Sequence, residues 1–599
     1  MTPRQAPAID LSLVTYQSER WLPAFFASLV AQSFPLTRIR LLLRDNGSSD
    51  RSIELCRQFA ADFGDRLLGV EIEAGQNIGF GRGHNANLAK AQHELFLVSN
   101  VDVEFLADTL TTLVDAAVED PPEVVAWECR QLPYEHPKSY HPASLETDWV
   151  ACACVLFGTA ALREVGGFEP RLFMYGEDVE LSYRLRDHGY RLRYLPRAAV
   201  IHHAYATPGE IKPTQLVGNH LANALLRLRF GSLRQMTAAP LLLVGRLLLP
   251  QRFAGQRAAL AGNLWRFLRL APAFLSTRKR SGLRFGFSGW DYGSPRRRGA
   301  FHRSIGVAEG PKVSLLIRTF AGRGGKLAEA MQSVANQTYG HIELVVVEDG
   351  GDSLRQQVAE FAVRHPRLEV VYAALPKGGR CASGNHALAL ATGEYCGFLD
   401  DDDLLFADHI EVLASELTHN REWEAAYACA FEVRTRVLTH EPWRYEAVAT
   451  TPVFEPVFSR ERLYERNFLP IQTVLFRKRL FDRLGGFDPE LDNLEDWNLW
   501  LRYALVGDFG AVAKTTSLFR VPASSHEAHR RRVVMVRDYA EPARRKNFAA
   551  WRDHPDLIGN LPPPGNTIGL LRRLSIAIPG IGRFYYPCRN LLAAIRRRF

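Results

Sequence analysis

Two stretches of the chain repeat one alternation of apolar and polar positions. LSLVTYQ (11–17) and SLLIRTFA (314–321) are short apolar, β-branched runs that close on Thr and an aromatic residue. Each predicts a buried first strand. A helical stretch follows in both, WLPAFFASLVAQSF in the first and KLAEAMQSVANQTY in the second. IRLLLRDNGSSD (39–50) and IELVVVEDGGDS (342–353) then predict second strands that end in acidic and turn residues. NIGFGRGHNANLAKA (77–91) pairs with PKGGRCASGNHALALA (376–391), and HELFLVS with GEYCGFL. The offset between the copies stays near 300 and grows to about 318 by an insertion in the second.

Strand–helix alternation with turn residues after each strand predicts an α/β fold. Two tandem domains are expected, each with a mainly parallel sheet and helices on both faces. A chain of 599 residues is too long for one core. The domains are placed at 1–235 and 312–535, with a basic helical linker at 236–311 and a basic helical tail at 536–599. Ligands in such sheets bind beyond the carboxyl ends of the strands. Thr15, Asp45 with Asn46, and Asn100 to Asp102 therefore belong in one crevice. Thr319, Glu348 with Asp349, and Asp400 to Asp403 belong in a second.

Charge adds a partner class. The net charge is +9, and much of the excess lies in 278–298, 529–537 and 595–599. Such clusters suit phosphates or an anionic membrane surface. Nucleic acid is not expected, because no aromatic RNA-binding motif or zinc spacing accompanies them. The linker is Leu-rich, broken by Pro240, Pro250 and Pro272, and interleaved with arginines. It reads either as a helical bridge between domains or as material for a membrane interface. The N-terminus has no apolar signal region, and no run is long enough to span a bilayer. A cytoplasmic protein, peripheral at the inner face of the membrane, is expected.

The chemistry rests on carboxylates repeated in the same order. The run Asp400, Asp401, Asp402, Asp403 follows GEYCGFL; GGFDP (485–489) and then Glu495-Asp496 come later. The first half carries Asn100-Val101-Asp102, GGFEP (166–170) and Glu177-Asp178. Four adjacent acids buried without a cation repel and protonate. They suit either a solvated turn or a divalent ion on a diphosphate. Asp400 and Asp402 are spaced to aim at one ion, and Asp403 either joins them or orients the donor. Asn100 leaves the first run with one carboxylate, Asp102, and weaker hold on an ion. Each Glu–Asp pair begins a helical stretch, so it either caps a helix dipole or serves as a base.

Taken together, the Thr-aromatic pairs, acidic strand ends, Gly/Asn segments, Asp runs, GGF and Glu–Asp pairs resemble family 2 glycosyltransferase domains of the GT-A fold. The resemblance covers about 11–230 and 313–525, and the first half is similar to rhamnosyltransferase-like members. It implies nucleotide-sugar donors, UDP- or dTDP-linked, and Mg2+ or Mn2+, more firmly in the second domain. It makes Asp178 and Asp496 the bases, with Glu177 and Glu495 shaping the acceptor side. It assigns Thr15, Asp45, Asn46, Asn85, Asn100, Thr319, Glu348, Asp349, Arg380, Asn385 and Asp401 to the donor. Asp102, Asp400, Asp402 and Asp403 are the metal candidates, joined by His202 or His203, with His526 as a rough counterpart. One base beside a departing diphosphate implies direct displacement with inversion; hydrolysis would need two flanking acids. The leading expectation is a bifunctional enzyme building an O-antigen- or capsule-type polysaccharide on an oligosaccharide or polyprenyl-linked acceptor. The alternative is one active domain, the second, with the first a glycan- or partner-binding module.

Overall fold

The apolar runs pair side by side, and the turn residues between them end at one edge. The computed structural model describes residues 6–205, 210, 212–278, 282–293, 295–303, 310–491, 493–524 and 540–552. Unit 1 begins with β1 (Ile9–Thr15), α1 (Leu22–Val30), β2 (Ile39–Asp45), α2 (Ser52–Phe63), β3 (Gly69–Ala74) and α3 (Phe80–Lys90). β4 (Leu95–Ser99), β5 (Val103–Phe105), α4 (Thr109–Glu119) and β6 (Val124–Leu132) follow. β7 (Cys154–Gly158), α5 (Thr159–Glu164), α6 (Glu177–Asp187) and β8 (Arg191–His202) complete it. The sheet order is β3-β2-β1-β4-β7-β6-β8-β5. β1 lies parallel between β2 and β4, and β7 runs antiparallel to both β4 and β6. The sheet is thus mixed: parallel where strand–helix units repeat, antiparallel where β7 is inserted.

The connecting segment forms α7 (Pro213–Phe230), α8 (Leu233–Leu248), α9 (Gln256–Ser276) and a hairpin of β9 (Phe287–Ser288) and β10 (Asp291–Tyr292). It packs on unit 1. Leu172, Val179 and Tyr183 share one buried cluster with Leu225, Leu243, Phe267, Phe274 and Phe285. Among the described residues no helix is long and apolar enough to cross a membrane.

Unit 2 repeats the plan with β11 (Val313–Thr319), α10 (Gly324–Ala335), β12 (Ile342–Asp349), α11 (Arg355–Arg364), β13 (Glu369–Leu375) and α12 (Gly379–Leu390). β14 (Tyr395–Asp400), β15 (Leu404–Leu405), α13 (His409–His419), β16 (Trp423–Thr439) and β17 (Arg444–Val453) come next. Then follow α14 (Arg460–Glu465), β18 (Val474–Arg477), α15 (Arg479–Leu484), α16 (Glu495–Tyr503), β19 (Asp508–Pro522) and α17 (Ala540–Arg552). The order β13-β12-β11-β14-β18-β16-β19-β15 matches unit 1 strand for strand. β17 is the addition: it pairs with a lengthened β16 and accounts for the growing offset. His526 and most of the tail lie outside the described residues.

Charge and apolar packing both cross between the units. Arg130 on β6 donates to both oxygens of Glu411 on α13, at 2.6 and 3.1 Å, and to Glu135 at 2.6 Å. Arg297 donates to both oxygens of Asp408 at 2.6 and 2.7 Å. Lys514 pairs with Glu135 at 3.0 Å and with Asp408 at 2.8 Å. All six are buried. Three cations thus meet three carboxylates, the condition under which buried charge is tolerated. Phe406, Phe431 and Val433 of unit 2 join the core of unit 1 beside Tyr140.

Candidate active site

In unit 1 the strand ends, the Asn-Val-Asp run and the Glu–Asp pair meet in one crevice of about 710 Å³. Tyr16, Asn46, Asn100, Asp102, Glu177, Asp178 and His202 all line it. Gly176, with φ +88°, turns the chain so that Glu177 and Asp178 open α6. Asp178 accepts a hydrogen bond from the Val179 N–H at 2.8 Å. Burial pushes Asp178 up to about 6. Burial and the adjacent Asp178 push Glu177 up to about 8. A carboxylate with a pKa near neutrality is suited to take a proton at physiological pH.

Asp102 faces His202, whose Nε2 lies 3.3 Å from Asp102 Oδ1. His202 Nδ1 is 2.7 Å from Gln131 Oε1. Burial raises the Asp102 carboxyl, but the contacts with His202 outweigh it and hold it below the ordinary range. His203 turns away from this pair: its Nε2 is 2.6 Å from Glu104, and its ring stacks on Trp21 at 5.2 Å.

Four expected donor contacts have other work. Asp45 accepts from the Thr15 hydroxyl at 2.9 Å, the Gly47 and Ser48 N–H groups, and the Ser48 hydroxyl. It builds the turn that sets out Asn46, and Thr15 is spent on Asp45. Asn85 donates to Phe168 O at 2.8 Å and accepts from Phe168 N at 2.7 Å. Asn385 does the same to Phe487, at 2.9 and 2.6 Å. Both amides are therefore clasps that tie α3 and α12 to the GGF loops, and the assignment of Asn85 and Asn385 to the donor is corrected. The clasp explains the second glycine of each motif. A methyl on Gly167 would sit 2.4 Å from Asn85 Oδ1, and one on Gly486 2.0 Å from Asn385 Oδ1.

Unit 2 brings the same elements together but fills them with its own cations. Arg318 donates to Asp400 at 2.7 Å and to Glu495 at 2.9 Å, so one guanidinium joins the Asp run to the Glu–Asp pair. Arg323 donates from Nε to both oxygens of Asp401 at 3.0 Å and pairs with Asp402 at 2.8 Å. Thr319 donates to Asp401 at 2.8 Å, and Lys326 approaches Asp402 at 3.5 Å. Burial raises Asp402, but Arg323 and Lys326 outweigh it and bring the carboxyl below the ordinary range. Asp403 is pushed well up by burial and by Asp402 and Asp400. Asp496 accepts from Asn467 at 2.9 Å and from Trp497 N at 2.8 Å. Burial and Glu495 push it up to about 7. Arg380 is half-exposed and lies 3.5 Å from Glu495.

Glu348 accepts from Ser353, the Leu354 N–H and Tyr372. Asp349 accepts from Lys377 and the Gly378 and Gly379 N–H groups. Both shape loops, as Asp45 does in unit 1. At the register of His202, beside the start of β5, unit 2 has Phe519 on β19 beside β15. It supplies no imidazole there.

Sequence reasoning missed Gln131, Lys138 and Trp149, which stand at or behind the first crevice, and everything the connecting segment adds. Lys138 donates to Glu128 and, at 3.0 Å, to Trp149 O. No repeated motif marks these residues. His220, Trp290 and Tyr292 also line the crevice, and among the described residues the hairpin that carries Trp290 and Tyr292 has no copy in unit 2.

The profile of the family described as "Glycosyl transferase family 2" matches residues 11–159 and 314–485, together more than half of the chain. The chain belongs to glycosyl transferase family 2. It is a glycosyltransferase built from two tandem GT-A-type α/β domains. A related profile, "Glycosyltransferase like family 2", matches 112–222. The chain is 28% identical to the N-acetylglucosaminyl-diphospho-decaprenol L-rhamnosyltransferase of Mycobacterium tuberculosis, over 35% of its own length and 80% of that protein. That likeness lies in the N-terminal part. It is also 28% identical to a putative colanic acid biosynthesis glycosyl transferase of Escherichia coli (strain K12), over 35% of this chain and 73% of that one. Among solved structures it resembles a mannosyltransferase from Pyrobaculum calidifontis in complex with GDP-Man and Mn2+. There the identity is 16%, the TM-score 0.31, and the coverage 46% of this chain and 74% of that one.

Proposed function

We propose that this enzyme is a bifunctional inverting glycosyltransferase that adds two sugars, or two linkages, to a growing surface polysaccharide. The observation that carries the reading is the Glu–Asp pair at a helix start in both units, its Glu buried and its Asp half-buried, with Asp178 near 6 and Asp496 near 7. In each unit one aspartate takes the proton of the acceptor hydroxyl as it attacks the anomeric carbon, and the nucleoside diphosphate leaves from the opposite face. Asn46 and Asn100 in unit 1, and Arg380 in unit 2, serve the donor. The donors are UDP- or dTDP-linked sugars; the rhamnosyltransferase likeness favours dTDP-rhamnose for unit 1.

A divalent ion fits unit 1 better than unit 2. Asp102 and His202 stand side by side at the crevice, and Gln131 behind the imidazole holds the ring in place. Among the described residues no group of three His, Cys, Asp or Glu side chains forms a cage. The remaining ligands would come from substrate phosphate, a common arrangement for Mg2+ and Mn2+. Such an ion neutralises charge on the departing diphosphate. In unit 2, Arg318, Arg323 and Lys326 already hold Asp400, Asp401 and Asp402.

A lipid-linked acceptor at a membrane surface is supported by α8 and α9. Leu233, Leu241, Val244 and Leu248 on α8, and Trp265, Leu268 and Leu275 on α9, are exposed. Their spacing makes one apolar stripe per helix. The run 211–290 holds thirteen Lys and Arg and no Asp or Glu. Apolar stripes with only basic neighbours suit an anionic bilayer.

A donor screen by product mass on wild type, Asp178→Asn and Asp496→Asn tests the reading. Each variant should lose one product by about 10²–10⁴-fold and keep the other. If one variant loses every product and the other loses none, a single active unit is the better account. Loss on Asp496→Asn alone would leave unit 2 as the enzyme and unit 1 as a glycan- or partner-binding module.

A further inference from the structure

The wall of the first crevice contains a patch that the repeated motifs do not supply. Trp290 and Tyr292 come from the β9–β10 hairpin and His220 from α7; all three line the crevice together with Glu177 and Asp178. The hairpin is held firmly. Tyr183 of α6 donates to Gly286 O at 2.7 Å, Asn223 of α7 to Asp291 O at 3.2 Å, and Gly293 N to Gly286 O at 3.0 Å. Arg227 donates to Gly289 O. These anchors all belong to α6, α7 and the hairpin itself, none to the strand ends that carry Asn46 and Asn100.

The hairpin stands against the start of the base helix. A methyl on Gly176, the residue before Glu177, would lie 3.2 Å from the Tyr292 hydroxyl and 2.3 Å from the Ala222 methyl. The Trp290 and His220 rings lie 5.4 Å apart at 38°. Four polar atoms of this wall are shielded from water and have no hydrogen-bond partner: Trp290 Nε1, Tyr292 Oη, His220 Nε2 and Glu177 Oε2. Such an atom is costly to leave unpaired. His220 Nδ1 lies against the Leu216 carbonyl, so it carries the proton and Nε2 accepts. The Trp290 N–H donates, the Tyr292 hydroxyl does either, and His220 accepts. Donors and acceptors interleaved around aromatic faces match a ring that carries several hydroxyls on its rim and C–H bonds on its faces.

We infer that the β9–β10 hairpin and α7 form the acceptor-sugar subsite of unit 1, holding a pyranose so that one of its hydroxyls meets Asp178. The inference deepens the proposed function and rests on unit 1 being a transferase site. It also explains why the connecting segment packs on unit 1: it completes that site.

The test uses the full-length chain and soluble probes. Methyl glycosides of glucose, galactose, N-acetylglucosamine and rhamnose are titrated by saturation-transfer NMR, and UDP and dTDP by calorimetry with Mn2+ present. At least one glycoside should bind wild type. Trp290→Ala and His220→Ala should weaken it at least fivefold while nucleotide affinity changes less than twofold. Trp290→Phe, which keeps a ring, and Tyr292→Phe, which removes one hydroxyl, should give smaller losses and guard against a folding defect. The subsite is overturned if no glycoside binds, or if binding is the same in all four variants. Failure of the transferase reading shows separately, as no nucleotide binding to wild type.

Discussion

The two units share a frame and differ in how they treat negative charge. In unit 1 one carboxylate, Asp102, faces an imidazole across 3.3 Å in an open crevice. In unit 2 three aspartates, Asp400, Asp401 and Asp402, face cations of the protein itself. The difference begins on the first strand. β1 pairs Val14 with Arg44, and β11 pairs Arg318 with Val347, so Arg318 stands at the register of Val14. An arginine there reaches both Asp400 and Glu495, whereas a valine reaches neither. Acidic residues repeated in sequence therefore need not have repeated electrostatics. One copy sets its carboxylate against an imidazole, and the other sets its carboxylates against arginine and lysine.

Replacing Arg318 is the harshest challenge to this contrast. Arg318→Met leaves Asp400 and Glu495 without a buried partner and should cost about 3–5 kcal/mol in denaturant unfolding. It should abolish the product of unit 2 and spare that of unit 1. Equal loss from both units would mean that the charge pattern is not local to unit 2.

Metal dependence comes next. Chelation should stop transfer by unit 1, with Mn2+ restoring it, and Gln131→Leu should raise the Mn2+ concentration needed by about 10–100-fold. The unit 2 product should respond less. If chelation silences unit 2 and spares unit 1, the assignment of the open site is reversed.

The shared frame can be probed at its clasps. Gly167→Ala and Gly486→Ala each drive a methyl into an asparagine carbonyl and should cost about 1–3 kcal/mol. Gly167 adds a φ of +68° that a Cβ disfavours, so its loss should be the larger. Thermal unfolding of the two variants measures this.

The smallest expected difference is in pH. Transfer needs each base deprotonated, so both rates rise with pH, unit 1 about one pH unit earlier, through about 6 against about 7. Stability moves the other way. An aspartate with a raised pKa binds its proton more tightly folded than unfolded, so its favourable contribution is lost as pH climbs from about 4 to about 7. Separate pH–rate profiles for the two products, and unfolding curves over the same range, check both signs.

Much of this was legible beforehand. Short β-branched runs closed by turn residues announce parallel strands, and the same order appearing twice announces two copies of one fold. The Glu–Asp pairs and the Asn-Val-Asp run stand at helix starts and a strand end, which are local features. Asn85 and Asn385 misled for the same reason: they sit in a glycine-rich segment that looks ligand-facing, yet their partners, Phe168 and Phe487, lie 83 and 102 residues away. Asp45, Glu348 and Asp349 sit where a ligand contact is expected, and their oxygens are consumed by the loops they begin.

The order of elements, the duplication and the membership of the carboxylate sets were thus written in local pattern, because periodicity and turn chemistry act over a few residues. Which carboxylates stand open and which are neutralised was decided only by folding. Arg318 meets Asp400 across 82 residues and Glu495 across 177. Trp290 and Tyr292 reach the crevice of unit 1 from a segment that the repeat does not contain. Charge compensation and site closure depend on distance in space, and the pattern along the chain carries no record of that distance.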